Sequence, residues 1–243
     1  MPRFANSFFT FILFISTAAA STVVHDQLLF VIAEDMNAST AVLQRYEHRK
    51  GAWEKVGSSI TVNVGRNGMG WGLGVLEIPH NVHDPVKHEG DGRAPAGVFE
   101  LGPVFGDAAA LETAMPYRQA TADLICIDDS RSSAYNTVVP VGSAPAFGSF
   151  EWMRREDGLY RMGVVVGHNR AARPGRGSCI FLHIEHAPGT GTAGCTSMNA
   201  AALRNVIRWL DPSKSPLLVQ VPAESLPAVQ ELLHIPLPLP DTE

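Results

Sequence analysis

Short apolar runs, separated by turn-forming residues, make up most of this chain. Runs of apolar and β-branched residues bounded by Gly, Pro, Asp or Asn predict β-strands. The runs with this pattern are LLFVIAE (28–34), TAVLQRYEHR (40–49), SITVNVG (59–65), GVFEL (97–101), LICIDD (124–129), YRMGVVVGH (160–168), SCIFLHIE (178–185) and PLLVQV (216–221). Several of them are nearly continuously apolar, which indicates strands that are covered on both faces. The pattern therefore predicts a mainly β fold.

One segment has the periodicity of a helix instead. Its apolar residues follow the i, i+3, i+4, i+7 spacing of a single buried helix face: Leu203, Val206, Ile207 and Leu210. Asn199 is suited to cap the start of this helix, and Pro212 prevents its easy continuation. A second, weaker helix is predicted from about Ala108 to Met115. The tail from Leu226 predicts a short helix and then a Pro-rich end.

The first twenty residues have the pattern of a secretory signal peptide. Arg3 supplies the positive charge, FFTFILFI supplies a short apolar run, and Ala18 and Ala20 form the A-x-A pattern of a cleavage site. An uncleaved anchor is the alternative, although the run is short for a membrane span. We therefore expect a signal peptide over residues 1–20 and a mature chain from Ser21. We expect export to the periplasm or cell envelope, with membrane contact only through the signal segment.

Size, charge and residue spacing narrow the choice of function. No linker is recognisable between residues 21 and 243, and the 22 glycines and 17 prolines of the chain suit one turn-rich domain. The formal charge of −5, without a basic run, predicts no nucleic-acid partner. Cys-x-x-Cys and His-x-x-x-His spacings do not occur in the sequence, so we predict neither a metal site nor a cofactor.

Three cysteines, Cys126, Cys179 and Cys195, lie in the part that is predicted to be exported. In an oxidising compartment, an odd number leaves at least one thiol unpaired unless two chains are joined. If Cys195 has to stay a free thiolate, Cys126 and Cys179 are the natural pair. Two reduced thiols buried in the core are the alternative.

Cys195 has surroundings that suit a nucleophile. It follows the flexible GTGTAG segment and precedes the predicted helix, whose first N–H groups favour a thiolate. Backbone N–H groups here also suit an oxyanion hole. Upstream, His183 lies on a predicted strand, and a glycine-rich return loop can bring its imidazole beside the thiol. A Cys–His nucleophile pair is one interpretation, and a small buried cysteine with a packed core histidine is the other.

Together these motifs resemble the L,D-transpeptidase (YkuD-type) catalytic domain. In that family, an apolar strand ends in a histidine, and a loop then leads to Ser/Thr-x-Gly-Cys before a helix. IFLHI with His183 and TAGCTSM with Cys195 match this order. The segments GRNGMGWG, EGDGRAPAGVFEL, CIDDSRSSAYN and GHN are similar to one exported bacterial branch of the family. The resemblance runs from about residue 60 to 221, the expected core of a single catalytic domain over residues 21–243.

The resemblance implies an L,D-transpeptidase-like β-sandwich or barrel with a few short helices. It also implies a cysteine-dependent acyltransferase that acts on the peptide stems of bacterial peptidoglycan. Cys195 would attack the carbonyl that follows a diaminopimelate residue and D-alanine would leave, with His183 acting first as base and then as acid. An amine of another stem, or of an anchored wall protein, would then attack the thioester. Water in that role would make the enzyme an L,D-carboxypeptidase or endopeptidase.

The resemblance implies roles for four further residues. Backbone N–H groups around Gly194 and Cys195 would stabilise the tetrahedral oxyanion. Thr192, or a nearby backbone carbonyl, would orient the imidazole. His168 and Asn169, in the GHN segment, are candidates for substrate binding.

Two positions depart from the commonest family pattern. Ala193 stands where a histidine is usual, and Ser197 stands where an arginine is usual, which leaves the exact substrate and the acyl acceptor open. A non-catalytic wall-binding module is a further interpretation. It makes Cys195 structural and expects a disulfide between Cys195 and either Cys126 or Cys179.

Overall fold

The computed structural model describes residues 25–233 and 235. Its strands are, in chain order, β1 Gln27–Ala33, β2 Thr40–Arg49, β3 Ala52–Asn63, β4 Met69–Trp71, β5 Ala94–Gly106, β6 Tyr117–Gln119, β7 Leu124–Ile127, β8 Thr137–Pro140, β9 Phe150–Trp152, β10 Met162–Val166, β11 Phe181–Ile184, β12 Thr196–Met198 and β13 Leu217–Pro222. Its α-helices are α1 Ala200–Trp209 and α2 Leu226–Leu233. The predicted signal peptide and most of the Pro-rich end lie outside the described residues.

Eight of these strands close into a barrel. Their order is β10–β11–β12–β3–β2–β1–β13–β5, and β5 pairs in turn with β10. Most neighbours are antiparallel, but β1 runs parallel to β13, and β11 runs parallel to β12. Apolar side chains from the barrel strands and from α1 form one large buried cluster. The prediction of a mainly β protein is confirmed, and the closed sheet makes it a barrel.

Helix α1 forms where the sequence predicts it. The Asn199 side chain accepts a hydrogen bond from the Ala202 N–H (2.9 Å), which caps the first turn. Leu203, Val206 and Ile207 are buried along one face, as their spacing requires. Helix α2 confirms the predicted short helix of the tail. Among the described residues, no helix is both long and apolar enough to cross a membrane.

The helix predicted from Ala108 to Met115 does not form. This segment is a series of bends. The Thr113 hydroxyl accepts a hydrogen bond from the Met115 N–H (3.1 Å) and donates one to the Ile207 carbonyl (3.1 Å), so it takes the place of a helical partner. Pro116 also disfavours helical geometry at the residue before it. Local side-chain bonds to the backbone therefore outweigh the weak helical pattern.

A lid, defined as residues 107–161, leaves the barrel between β5 and β10. Its centre is a three-stranded antiparallel sheet in which β7 pairs with β8 and β9. The inner face of the lid packs on the barrel and forms a second buried cluster, made of Phe105, Ala120, Leu124, Cys126, Met153, Tyr160, Cys179, Phe181 and Cys195. The lid therefore covers the end of the barrel at which β11 begins and β12 follows Cys195.

Candidate active site

A tight turn positions Cys195 directly before β12. The Thr192 hydroxyl accepts a hydrogen bond from the Gly194 N–H (3.0 Å) and donates one to the Cys195 carbonyl (2.6 Å). Close approach favours glycine at 194, because a Cβ there would lie 3.1 Å from the Arg93 carbonyl oxygen, a tight contact. The GTGTAG segment thus forms an ordered turn that points the cysteine under the lid.

The Cys195 side chain is enclosed. Its residue is only 7% exposed, and its sulfur accepts a hydrogen bond from the Phe181 N–H (3.3 Å) and donates one to the Cys179 carbonyl (3.5 Å). Burial raises the pKa of the thiol to about 12, and the nearby Glu151 carboxyl adds a smaller contribution in the same direction. The hydrogen bond from the Phe181 N–H acts in the opposite direction. In this closed state the cysteine is therefore a protonated thiol.

His183 lies on β11 and is a neutral base. Its Nδ1 lies 2.7 Å from the Ile184 carbonyl oxygen, which can only accept, so Nδ1 carries the proton and Nε2 is left with a free lone pair. Burial lowers the pKa of this imidazole to about 4. A neutral imidazole with an anchored Nδ1–H can take a proton at Nε2, as a general base must.

Neighbouring parallel strands bring the two residues together. His183 pairs with Ser197, and Cys195 precedes Ser197 by two positions, so the thiol lies diagonally across from the imidazole on the same face. Tyr160 packs against both: its ring centre lies 5.2 Å from that of His183, and it belongs to the same buried cluster as Cys195. Among the described residues, the sulfur bonds backbone groups and not the imidazole. Within the described residues, the pair therefore shares one closed compartment with no hydrogen bond between the two side chains.

The residues expected to orient the imidazole or to bind the oxyanion are not all placed for those roles. Thr192 holds the turn before Cys195, while the group that orients the imidazole is the Ile184 carbonyl, the other alternative in the prediction. The Gly194 N–H is occupied by the Thr192 hydroxyl. In the described part of the chain, no loop or side-chain acceptor takes the N–H of Cys195. Of the two predicted oxyanion donors, the N–H of Cys195 is the one still available.

His168 and Asn169 are buried in the loop that follows β10. The Nδ1 of His168 accepts from the Leu73 N–H (3.3 Å), and its Nε2 donates to the Arg176 carbonyl (2.8 Å). The Asn169 amide donates to the Arg173 and Gly177 carbonyls and accepts from the Arg173 N–H. Every polar atom of both side chains thus has a protein partner. These residues hold the loop from 167 to 178, and their expected role toward a substrate stays a prediction.

A disulfide joins Cys126 of β7 to Cys179, with the two Cα atoms 6.0 Å apart. The expected pairing is confirmed, and a bridge from either residue to Cys195 is excluded because Cys195 is free. Cys179 also donates its N–H to the Asn136 side chain (2.9 Å), and it has a positive φ of 54°, so β11 starts later than the apolar run SCIFLHIE suggests. The bridge ties the lid to the start of the strand that carries His183.

An open cleft on the lid adjoins this compartment, with a volume of about 980 Å³. Its lining contains a charged turn, RRED, and half-buried residues of β9. The Glu151 carboxylate accepts a hydrogen bond from the Tyr160 hydroxyl (2.8 Å), and the Arg155 guanidinium carbon lies 5.1 Å from the Tyr160 ring centre. Sequence reasoning missed these residues, because RRED reads as an ordinary solvated turn. Only the fold places it against Tyr160.

The site thus contains a nucleophilic side chain, a neutral base, a backbone N–H donor and an adjacent charged cleft. Within residues 25–233 and 235, no three His, Cys, Asp or Glu side chains are grouped so that they could hold a metal ion. This arrangement is suited to acyl transfer through a thioester. Comparison of the chain with protein-family models, curated proteins and solved structures finds no match.

Proposed function

We propose that this protein is a cysteine-dependent L,D-transpeptidase of bacterial peptidoglycan, with an L,D-transpeptidase-like barrel. One observation carries the proposal: Cys195 and His183 lie in one enclosed compartment on adjacent parallel strands, with the imidazole held by the Ile184 carbonyl. Among the described residues, the Nε2 lone pair of this imidazole has no hydrogen-bond partner, so it is free to accept a proton. The sequence motifs around both residues point to the same activity.

The first half-reaction forms a thioester. The lid segment that carries Tyr160 moves aside and admits a peptide stem, whose carbonyl displaces the backbone contacts of the Cys195 sulfur. His183 takes the thiol proton at Nε2 as the sulfur attacks the carbonyl carbon, and the N–H of Cys195 donates to the oxyanion. His183 then returns the proton to the amine of D-alanine, the C–N bond breaks, and D-alanine leaves.

The second half-reaction transfers the acyl group. An amine of a second stem, or of an anchored wall protein, attacks the thioester, His183 removes its proton, and the thiol is restored. The compartment wall contains Phe105, Phe181 and Met153, all at most 2% exposed. An apolar wall keeps water from the thioester, which favours an amine acceptor over hydrolysis. Peptidoglycan stems are thus the proposed partners, reached after export of the mature chain.

The test is incubation of the full chain with tetrapeptide-stem muropeptides, followed by mass spectrometry. We expect crosslinked stems, released D-alanine, and an acyl adduct on the peptide that contains Cys195. Cys195→Ala should give none of these, with an unchanged thermal unfolding midpoint. Trimmed stems without crosslinks would make the protein a hydrolase with the same pair. A wild-type chain with neither adduct nor product would overturn the proposal.

A further inference from the structure

The lid cleft presents one arginine that is already oriented. The Nε and Nη2 atoms of Arg155 donate to the Asp157 carboxylate, at 3.1 Å from Nε and 2.5 Å from Nη2. Among the described residues, the Nη1 group of Arg155 has no hydrogen-bond partner. The side chain is 38% exposed and lines the cleft. The guanidinium thus offers its remaining donors to a ligand, in a direction set by Asp157.

This arginine stands next to the candidate catalytic pair. Its guanidinium lies against the Tyr160 ring, and the same ring packs on the His183 imidazole, with the two ring centres 5.2 Å apart. Arg155 and Asp157 are also the two charged side chains that influence the protonation of His183. Arg155 therefore lies on the side of the compartment where Tyr160 packs on His183.

The chemistry of the proposed reaction places the leaving residue on that side. His183 must reach the departing amine to protonate it, so the amine faces the imidazole. In D-alanine the carboxylate is one carbon beyond the amine, and Arg155 is the cationic side chain that borders His183 through the Tyr160 ring. Guanidinium is well suited to a carboxylate, because its planar N–H groups form paired, charge-assisted hydrogen bonds.

We propose that Arg155 binds the terminal carboxylate of the leaving D-alanine, and so selects stems that end in a free acid. This inference rests on the proposed function. Because Arg155 and Tyr160 belong to the same lid segment, closure of the lid over a bound stem brings the guanidinium to the leaving residue. Asp157 keeps the guanidinium in place while the cleft is empty.

The test compares two substrates, a tetrapeptide stem with a free terminal carboxylate and the same stem with a terminal carboxamide. For the wild-type chain we expect kcat/KM to favour the acid by about tenfold or more, the usual effect of a charge-assisted hydrogen bond. Arg155→Gln should reduce that ratio to about one, mainly by raising KM for the acid. Arg155→Lys, which keeps the charge without the planar fork, should give an intermediate ratio.

Arg131 provides a matched control. It forms the same kind of Arg–Asp pair, with Asp129 in the same lid, but is 85% exposed and does not line the cleft. Arg131→Gln should therefore keep the wild-type ratio. If Arg155→Gln is active and keeps the wild-type ratio of kcat/KM between the two substrates, the role of Arg155 is wrong but the proposed function stands. Absence of acyl transfer by the wild-type chain from either substrate would overturn the proposed function instead.

Discussion

Two buried histidines occupy regions with opposite roles. Burial lowers the pKa of both His168 and His183 to about 4, and each is at most 7% exposed. Their hydrogen bonds differ: both ring nitrogens of His168 have partners within the protein, whereas in the part of the chain that the structure describes only Nδ1 of His183 has one. Burial and neutrality therefore do not distinguish a structural histidine from a base. What distinguishes a base is a ring nitrogen without a hydrogen-bond partner, together with the residues next to that nitrogen.

The neighbours of the two histidines differ less than their hydrogen bonds do. His168 lies in a loop held by backbone carbonyls and by the Asn136 amide, which donates to the carbonyls of His168 and Asn169 (both 2.9 Å). His183 packs against the Tyr160 ring of the lid, which in turn contacts Arg155 of the charged cleft and belongs to the same buried cluster as Cys195. His168 also packs against an aromatic ring, that of Phe99, so the contrast lies in the hydrogen bonds of the two imidazoles and not in the kind of side chain around them. A buried histidine that holds a loop needs a hydrogen bond on each ring nitrogen. A catalytic base needs one ring nitrogen without a hydrogen-bond partner, so that it can take a proton.

The sharpest way to break this comparison is to remove each imidazole in turn. His183→Ala should lower kcat by roughly 10²–10⁴-fold, because the thiol loses its base, with a modest change in stability. His168→Ala should lower the free energy of unfolding by about 1–3 kcal/mol, because the Leu73 N–H and the Arg176 carbonyl lose a buried partner. Turnover assays and urea unfolding of both variants measure the two effects. If His168→Ala lost as much kcat as His183→Ala while remaining folded, the contrast would be wrong.

The disulfide joins the lid to Cys179, which lies between the loop of His168 and the strand that carries His183. It has a sequence separation of 53 residues, and in the chain-entropy model its loss should cost about 4 kcal/mol of stability. In a Cys126→Ala/Cys179→Ala double variant, we expect faster alkylation of Cys195, because the lid is held less firmly over the cluster. The loop of His168 should remain protected in hydrogen exchange, since the His168 and Asn169 side chains still bond its backbone. Loss of protection in that loop alone would contradict the assignment.

The last test is a response to pH that both histidines share. Above about pH 6.5, each histidine is neutral in both the folded and unfolded states; below it, the unfolded state binds a proton that the folded state excludes until about pH 4. Stability should thus fall as the pH drops through that window, by roughly 3 kcal/mol for each histidine. Unfolding from pH 7 to pH 4 should show a flatter profile for His168→Gln and for His183→Gln alike. A flattening confined to one variant would mean that the two imidazoles are not equally buried.

The local pattern of apolar runs and turn residues was sufficient to predict many of the barrel strands. Alternating apolar runs and turn residues depend on neighbours in sequence, so β1, β2, β7 and β13 lie where they were predicted. Strand β5 is longer than the predicted run GVFEL. Pro95 and Pro103 are typical of strand ends, but the structure accommodates both within the strand. The odd number of cysteines likewise indicated a free thiol before any coordinates were known.

The sequence by itself determined the apolar runs of β7 and of seven of the eight barrel strands, all but β12. It also determined helix α1 with its Asn199 cap and the motifs that contain Cys195 and His183, because each depends on spacing along the chain. Only the tertiary structure decided which cysteines pair, which nitrogen of each histidine is free, and that Arg155 borders the compartment. Those properties arise from residues far apart in sequence, brought together when the lid packs on the barrel. Burial of the thiol follows from the same packing, since a pKa responds to the solvent and charges around a group and not to its sequence neighbours.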